Sequence, residues 1–260
     1  MLPVIFHISR HAVSGYQFFY ILGLALGAAA ILLLSRREKL DAVEVAAFIL
    51  LGIVCGWIGS RLLGPIVRLI TQPHPLRSIW DDFQTGGSFF GAVAASLLFA
   101  IPYSRLFFKD DRRRLWDITV IGIALGHAVG RLGCFAAGCC YGIPTRLPWG
   151  VSFTTLGSAP HPFAGVPLHP VQLYEAALCF INSMLLFLLW RKRRFPGEIF
   201  SFYLINYGLI RFALEFLRHQ AAAGRVWHGG PSWYQAFSLS LLLVGGWSWL
   251  HFHKKQIRKG

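Results

Sequence analysis

Seven long apolar stretches dominate this sequence and leave little chain for anything else. They lie near residues 14–34, 42–63, 86–103, 115–133, 171–190, 197–217 and 233–252. Most of them approach or exceed the roughly 20 residues that an α-helix needs to cross a hydrocarbon layer about 30 Å thick. Because the bilayer interior offers no water to backbone polar groups, such segments fold as helices. We therefore predict an all-α polytopic membrane protein with about seven transmembrane helices.

Composition supports a membrane protein with a single domain. Hydrophobic residues make up 55% of the chain and charged residues 14%, whereas a typical soluble protein has about 25% charged residues. The sequence has no internal repeat, long linker or low-complexity segment, so we predict one integral-membrane domain over residues 1–260. The first stretch is long and lacks a small-residue cleavage site, and we expect it to be a retained helix rather than a signal peptide.

The distribution of Lys and Arg predicts the orientation of the chain. Sixteen of these residues follow the first, third, fifth and seventh stretches, and six lie on the opposite side. Because basic residues accumulate on the cytoplasmic side, we expect the amino terminus outside, the carboxyl terminus inside and the 134–170 connection on the outer face. The clusters at 112–114 and 191–194 contribute to the net charge of +14. Beside membrane spans they fit anionic lipid headgroups, and we do not expect nucleic acid as a partner.

Several polar groups gather around the end of the fourth apolar stretch, where His127 and Arg131 are followed by three cysteines. A guanidinium group at the centre of a bilayer costs about 2.5–3.5 kcal/mol on insertion scales, so Arg131 should face a protein interior or a wet cavity. The glycines around it, Gly133 and Gly142 among them, fit close approach of the backbone to a neighbour or a ligand.

Further charged residues lie on the fifth and sixth stretches. Arg211 and Glu215 are four residues apart and therefore share a helix face. They could form an ion pair that only locks helices, or Arg211 could join Arg131 around an anionic group such as a lipid phosphate. His169 and Pro170 precede the fifth helix, which places Glu175 one to two turns inside it. We favour a role for Glu175 in holding an arginine over a helix-start or proton-transfer role.

The three cysteines of this segment, Cys134, Cys139 and Cys140, leave several interpretations open. Their C-x4-C-C spacing is not a standard zinc or iron–sulfur signature, so we expect no metal site. A disulfide is sterically easier between Cys134 and Cys139 than between the vicinal pair. The sequence contains no glycine-rich phosphate loop, nucleophile elbow or HExxH helix, and we expect no cofactor.

Several motifs, in the same order and at similar spacing, resemble the prolipoprotein diacylglyceryl transferases. They are the segments at 130–135 (GRLGCF), 142–145 (GIPT), 147–150 (LPWG), 169–175 (HPVQLYE) and 211–218 (RFALEFLR). Residues 16–23 and 87–91 resemble two further family segments. The resemblance covers most of the chain.

The resemblance implies a seven-span enzyme of the bacterial inner membrane. Such an enzyme transfers the diacylglyceryl group of phosphatidylglycerol to the thiol of a prolipoprotein signal-peptide cysteine, the lipobox cysteine, and releases glycerol phosphate. Arg131 and Arg211 match the essential arginines of the family and suit stabilisation of the charge on the leaving phosphate. Glu215 matches the carboxylate that would orient Arg211. His169 is a further catalytic candidate, and we expect the substrates to be bound by Tyr16, Gly133, Cys134, Cys139, Gly142 and Glu175.

The chain also departs from the family pattern. Family members generally carry asparagine at the position of Cys134, glutamate at that of Cys139, and His-Gly-Gly where this chain has 90–92 (FGA). The family histidine is assigned to deprotonation of the acceptor thiol, which a phenylalanine cannot perform. Candidates to replace it are His127, His169 or a thiolate at Cys139.

These departures keep two alternatives open. One is a related transferase that uses phosphatidylglycerol but modifies a different acceptor. The other is a non-enzymatic membrane protein that binds anionic lipid or senses redox state through its cysteines.

Overall fold

Seven α-helices form nearly all of the regular structure in the described part of the chain. The computed structural model describes residues 4–8, 11–71, 87–156, 159–219 and 230–257. The helices are α1 (Gly15–Arg37), α2 (Ala42–Thr71), α3 (Phe89–Phe107), α4 (Arg112–Ala137), α5 (Val171–Trp190), α6 (Glu198–Glu215) and α7 (Trp233–Ile257). Two short antiparallel hairpins accompany them, β1 (Val4–Ile8) with β2 (His11–Ser14) and β3 (Thr155–Leu156) with β4 (Ala159–Pro160). Residue 86, the predicted start of the third stretch, lies outside the described residues.

Five of the helices are long and apolar enough to cross a membrane. They are α1, the Ala42–Ile66 part of α2, α3, α4 and α5. At most 44% of the apolar window of any of these helices is buried inside the protein. Large apolar side chains such as Leu33, Leu98 and Ile181 therefore face outward, as they do in a multi-pass membrane protein. The helical class is as predicted.

The chain divides into two compact units. One consists of residues 1–31 and 116–260, and the other of residues 32–115. Every residue of the functional site described below belongs to the first unit. The expectation of one domain over residues 1–260 stays a prediction.

Glycines bring α1 and α4 into backbone contact within the first unit. A Cβ atom on Gly23 would lie 2.6 Å from the carbonyl oxygen of Gly126, and one on Gly27 would lie 2.8 Å from that of Gly122. Two small residues four positions apart on each helix form the close-packing motif common in membrane helices. The pairs run in opposite directions along the two helices, so the start of α1 lies beside the end of α4.

The second unit contains a similar contact between α2 and α3. A Cβ atom on Gly59 would lie 2.5 Å from the carbonyl oxygen of Gly91. Ser88 begins α3 as its N-cap and accepts a hydrogen bond from the amide of Gly91. Tyr103 donates a 2.7 Å hydrogen bond to the Glu44 carboxylate. Residues 87–91, which resemble a family segment, thus begin a helix and hold it against its neighbour.

A buried carboxylate fixes the start of α6. The N-cap residue Gly197 has φ of 98° and has no side chain to cap the helix. Asp117 of α4 instead accepts hydrogen bonds from the amides of Gly197 and Phe200, at 2.8 and 2.9 Å. A negative charge at a helix amino terminus satisfies its free amides and its dipole. Asp117 therefore sets the position of α6 relative to α4.

The connection between α4 and α5 is held to the end of α6 by main-chain hydrogen bonds. The amide of Ile143 donates to the Leu217 carbonyl at 2.9 Å, and the amide of Gly142 donates to the His169 carbonyl at 3.0 Å. A Cβ atom on Gly142 would lie 2.6 Å from the Leu217 carbonyl oxygen, so only glycine permits this approach. The connection is consequently fixed beside both α5 and α6.

We expect Gly126→Ala to destabilise the protein by about 1–3 kcal/mol, because the added methyl group overpacks the α1–α4 contact. Gly130→Ala is the matched control, since a Cβ atom there meets nothing within 4 Å. Thermal unfolding in detergent should show a lower midpoint for Gly126→Ala and an unchanged or higher one for Gly130→Ala. Equal midpoints would contradict the glycine contact.

Candidate functional site

Arg131 is held by two side chains near the carboxyl-terminal end of α4. Its Nη2 lies 2.9 Å from Oε1 of Glu175 on α5. Its Nε donates a 3.1 Å hydrogen bond to Nε2 of His127, one helical turn earlier. This bond is consistent with a neutral His127 whose proton is on Nδ1, and Nδ1 lies 3.8 Å from the Cys179 sulfur. Glu175 and His127 thus fix the plane of the guanidinium group.

A second charged group surrounds Glu215 at the end of α6. Nη2 of Arg211 lies 2.7 Å from Oε2 of Glu215, and Nη1 of Arg218 lies 3.9 Å from the same oxygen. Ser232 donates a 2.9 Å hydrogen bond to Oε1. The guanidinium groups of Arg211 and Arg218 also lie over the ring of Tyr234, at 4.7 and 4.9 Å from its centroid. The predicted Arg211–Glu215 pair is therefore present and almost fully buried.

The two charged groups form one cluster. The Glu175 carboxylate interacts electrostatically with Arg131, His127, Arg211 and Arg218. Among the described residues of this cluster, three guanidinium groups face two carboxylates. A buried excess of positive charge is unfavourable unless an anion balances it.

Arg211 also retains unused hydrogen-bonding capacity. Its side chain is 3% exposed, and its Nη2 lies 2.7 Å from Oε2 of Glu215. The other terminal nitrogen, Nη1, has no hydrogen-bond acceptor within the described residues. Buried donors without acceptors are rare in folded proteins, and a bound anion is the kind of group that satisfies them.

The cap of α4 brings the three cysteines together. The amide of Gly138 donates to the Phe135 carbonyl and that of Cys139 donates to the Cys134 carbonyl, both at 3.1 Å. With φ of 70° at Gly138, this is the Schellman arrangement, which folds the chain back over the last turn. Cys140 also has a positive φ of 60°. All five cysteines of the chain are free thiols, and the sulfurs of Cys134, Cys139 and Cys140 lie within 4.8 Å of one another.

The vicinal thiols differ in their ionisation. Hydrogen bonding with the Cys134 and Cys139 thiols, together with the Arg218 guanidinium, lowers the pKa of Cys140 well below its ordinary value. Nη2 of Arg218 lies 3.5 Å from the Cys140 sulfur. Hydrogen bonding with Cys134 and Cys140 raises the pKa of Cys139. The Arg218 guanidinium therefore favours the thiolate form at Cys140, and the thiolate at Cys139, one of three candidate bases in the sequence, stays a prediction.

Of the other residues predicted from the sequence, Tyr16 and Gly133 lie beside the cysteines, whereas His169 lies in the loop before α5. Tyr16, half-exposed at the start of α1, interacts electrostatically with the cysteines, and its carbonyl would lie 3.1 Å from a Cβ atom on Gly133. His169 lies elsewhere: its Nδ1 is 3.4 Å from the Tyr174 hydroxyl, and its main chain bonds to Ile143. Among the described residues, its contacts join it to the loop rather than to the arginines.

Three further residues lie at this site that were not predicted from the sequence. Arg218 follows Arg211 by seven positions and Glu215 by three, so helical spacing could have identified it. Cys140 was recognised as a thiol but not as the one beside an arginine. Ser232 carries no signal in the sequence, because its partner Glu215 precedes it by 17 residues across a connection between helices.

The fold and the site together define a multi-pass membrane protein with a buried cluster of arginines next to three thiols. The chain belongs to the prolipoprotein diacylglyceryl transferase family, whose model matches residues 3–251.

Relatives with the name phosphatidylglycerol–prolipoprotein diacylglyceryl transferase resemble this chain over most of its length. That of Clostridium tetani is 35% identical over 226 residues, which is 84% of this chain and 86% of the relative. Enzyme 2 of Clostridium perfringens is 34% identical over 248 residues, 94% of this chain and 93% of the relative. That of Coxiella burnetii strain Dugway 5J108-111 is 30% identical over 269 residues, 98% of this chain and 97% of the relative.

We expect Glu215→Gln to destabilise the protein by about 3–5 kcal/mol, because it removes the carboxylate beside the buried Arg211. Arg114→Gln breaks an ion pair with Asp111 whose side chains are 46% and 45% exposed, so it should change stability by about 0–1 kcal/mol. Unfolding curves in detergent would compare the two variants. A Glu215→Gln curve that coincides with the wild-type curve would argue against a tightly coupled buried pair.

Proposed function

We propose that this protein transfers the diacylglyceryl group of phosphatidylglycerol to the lipobox cysteine of prolipoproteins and releases glycerol phosphate. Membership of the family and the names of its relatives support this transferase activity. The observation that carries the assignment to this site is the buried Arg211, whose Nη1 has no acceptor within the described residues. A phosphodiester headgroup supplies both the acceptor oxygens and the negative charge.

The reaction is a displacement at carbon. The sulfur of the acceptor cysteine attacks the glyceryl carbon that bears the phosphate, forms a C–S bond and breaks the C–O bond. The electron pair of that bond passes to the phosphate oxygen, so negative charge grows on the leaving group. Guanidinium groups placed beside this oxygen stabilise the transition state more than the substrate, which accelerates the reaction.

The charged side chains have two kinds of role in this proposal, phosphate binding and positioning. Arg131 and Arg211 bind the phosphate, since planar guanidinium forks match its oxygens. Glu175 and Glu215 are positioning residues that hold these forks, at 2.9 and 2.7 Å. His127 also positions Arg131, because its Nε2 lone pair already accepts the Arg131 Nε–H. That engagement makes His127 a poor base for the acceptor thiol.

The substrates enter beside the end of α4. Tyr16, at the start of α1, lies against Gly133 of α4 next to the cysteines. Gly142 lets the loop approach the end of α6. Cys134 and Cys139 face the acceptor side of the site in this proposal. His169 supports the loop through Tyr174 rather than touching the phosphate.

The surrounding membrane is the bacterial inner membrane in this proposal, and all seven helices span it. The cytoplasmic side carries most of the basic residues, which bind anionic lipid headgroups. The amino terminus and the loop of residues 138–170 then face outward, where prolipoproteins present their lipobox cysteines.

We expect Arg211→Lys to lower turnover about 100-fold or more, because an ammonium group cannot reproduce the planar fork at the leaving phosphate. The assay uses purified protein, labelled phosphatidylglycerol and a synthetic lipobox peptide, and mass spectrometry detects one diacylglyceryl group on the peptide cysteine. Arg146→Lys is the matched control, because Arg146 is exposed on the loop. Near-normal rates for Arg211→Lys would remove Arg211 from the mechanism.

The same assay separates the alternative functions. Cleavage of phosphatidylglycerol with a different acceptor, but without transfer to the lipobox peptide, would establish a related transferase instead. Absence of cleavage with every acceptor would favour a lipid-binding or redox-sensing protein.

The orientation is tested separately from the chemistry. We expect alkaline phosphatase fused after Gly260 to be inactive and green fluorescent protein at the same position to fluoresce, because the carboxyl terminus is cytoplasmic. A fusion in the exposed loop at Arg146 should give the opposite pair of results. An active phosphatase after Gly260 would reverse the proposed orientation.

A further inference from the structure

The proposed transfer requires an acceptor thiol without its proton. A thiolate is the nucleophilic form of cysteine, and a thiol in water is mostly protonated at neutral pH. His127 accepts a hydrogen bond from Arg131, and His169 contacts Tyr174. His127 is thus already engaged and His169 lies with the loop, whereas the cysteine cluster lies directly beside Arg131 and Arg218.

The three sulfurs already lie close to the geometry of a metal site. Those of Cys134, Cys139 and Cys140 are within 4.8 Å of one another. Zinc–sulfur bonds of about 2.3 Å place the sulfurs of a tetrahedral site about 3.8 Å apart. The sulfurs are therefore at most about 1 Å further apart than in a tetrahedral zinc site.

The backbone builds this cluster for a structural reason. The Schellman cap of α4 pairs the amide of Cys139 with the carbonyl of Cys134, which brings the fourth-last helical residue and the second residue beyond the helix end together. The buried Gln172 donates a 2.6 Å hydrogen bond to the Cys139 carbonyl and fixes the turn from α5. The cap thus brings together three sulfurs at a spacing, C-x4-C-C, that is not a standard metal signature and that predicted no metal site.

The charges around the cluster suit bound thiolates. Nη1 of Arg131 lies 3.9 Å from the Cys134 sulfur, and Nη2 of Arg218 lies 3.5 Å from the Cys140 sulfur. Three thiolates and one divalent cation have a net charge of −1, which becomes −2 when a fourth thiolate binds. The two guanidinium groups lie beside the sulfurs and stabilise this negative charge, in addition to their contacts with Glu175 and Glu215.

We propose that Cys134, Cys139 and Cys140 bind one zinc-class cation and that its fourth position takes the acceptor thiol. This inference rests on the proposed transferase function and adds the means by which the thiol is activated. Catalytic zinc sites have three protein ligands and one open position, and a thiol that coordinates zinc loses its proton. Thiolate ligands select soft cations such as zinc over magnesium or calcium.

The step balances without an oxidant or reductant. The acceptor R–SH gives up its proton on coordination, and its sulfur then forms the C–S bond to the glyceryl carbon. The C–O bond breaks with its electron pair on the phosphate, which becomes the dianion of glycerol phosphate. The proton that was released balances this second negative charge. The thioether product binds zinc more weakly than a thiolate and leaves the site.

The first experiment measures the metal without reference to activity. The full chain is purified in detergent with a phosphine reductant and zinc and then dialysed. Its zinc content is measured by inductively coupled plasma mass spectrometry. We expect about one zinc per chain, loss of zinc in Cys139→Ser and Cys140→Ser, and retention in the control Cys55→Ser, whose thiol lies on α2. Thermal unfolding of each variant shows whether it is folded. Absence of zinc from the folded wild-type protein, or its retention in both serine variants, would overturn the proposal.

Replacement of zinc by cobalt shows whether the acceptor thiol occupies the fourth coordination position of the metal. The cobalt-substituted protein should show sulfur-to-cobalt absorption in the near ultraviolet, and a lipobox peptide should increase it. The same peptide with serine in place of the cysteine should not. An unchanged spectrum with the cysteine peptide would refute binding of the acceptor to the metal.

A transfer assay then distinguishes this proposal from the function on which it rests. We expect chelation to reduce transfer about 100-fold and added zinc to restore it. Undiminished transfer by the zinc-free protein would eliminate the metal and leave the transferase intact. One zinc per chain and a cobalt spectrum that changes with the peptide, without any transfer from phosphatidylglycerol, would support the metal site and contradict the transferase function.

Discussion

The ion pair between Arg131 and Glu175 is the interaction on which the rest of the site depends. It connects α4 to α5 at 2.9 Å and lies at the end of the segment that carries the thiols. Burying both charges is expensive, and the cost is offset only when the geometry and the additional hydrogen bonds are good. His127 supplies one of these bonds at 3.1 Å. Because the pair fixes the guanidinium plane, it determines where the phosphate and the nearby sulfurs can lie relative to each other.

The ion pair between Arg211 and Glu215 differs from the first pair because its carboxylate has more than one positively charged partner. Glu215 is shared by Arg211, Arg218 and Ser232, so a single carboxylate neutralises part of two positive charges. Within the described residues the cluster therefore remains positive, and Nη1 of Arg211 has no acceptor. This arrangement is unfavourable for stability alone and favourable for binding an anion. Functional sites commonly show such a departure from the best local packing.

Much of the helical framework could be predicted from the sequence, because apolar stretches of this length have few alternatives in a bilayer. Val171–Trp190 agrees with the predicted stretch at both ends. Arg211 and Glu215 could be paired from their spacing. The thiol cluster could not be predicted, since it depends on the backbone at Gly138 and Cys140, where two positive φ angles reverse the chain. The hydrogen bond of Ser232 likewise depends on how α7 follows α6, which hydrophobic periodicity does not encode.

The glycine contact between α1 and α4 has a consequence for the response to lipid composition. Tyr16 lies against Gly133, Gly23 against Gly126 and Gly27 against Gly122, so main-chain atoms set the separation along the shared length. Because main-chain atoms cannot change rotamer, we expect the two helices to keep a fixed separation. When bilayer thickness changes, helices accommodate the mismatch by tilting. We therefore expect α1 and α4 to tilt together, which keeps Tyr16 beside the thiols in thin and thick membranes alike.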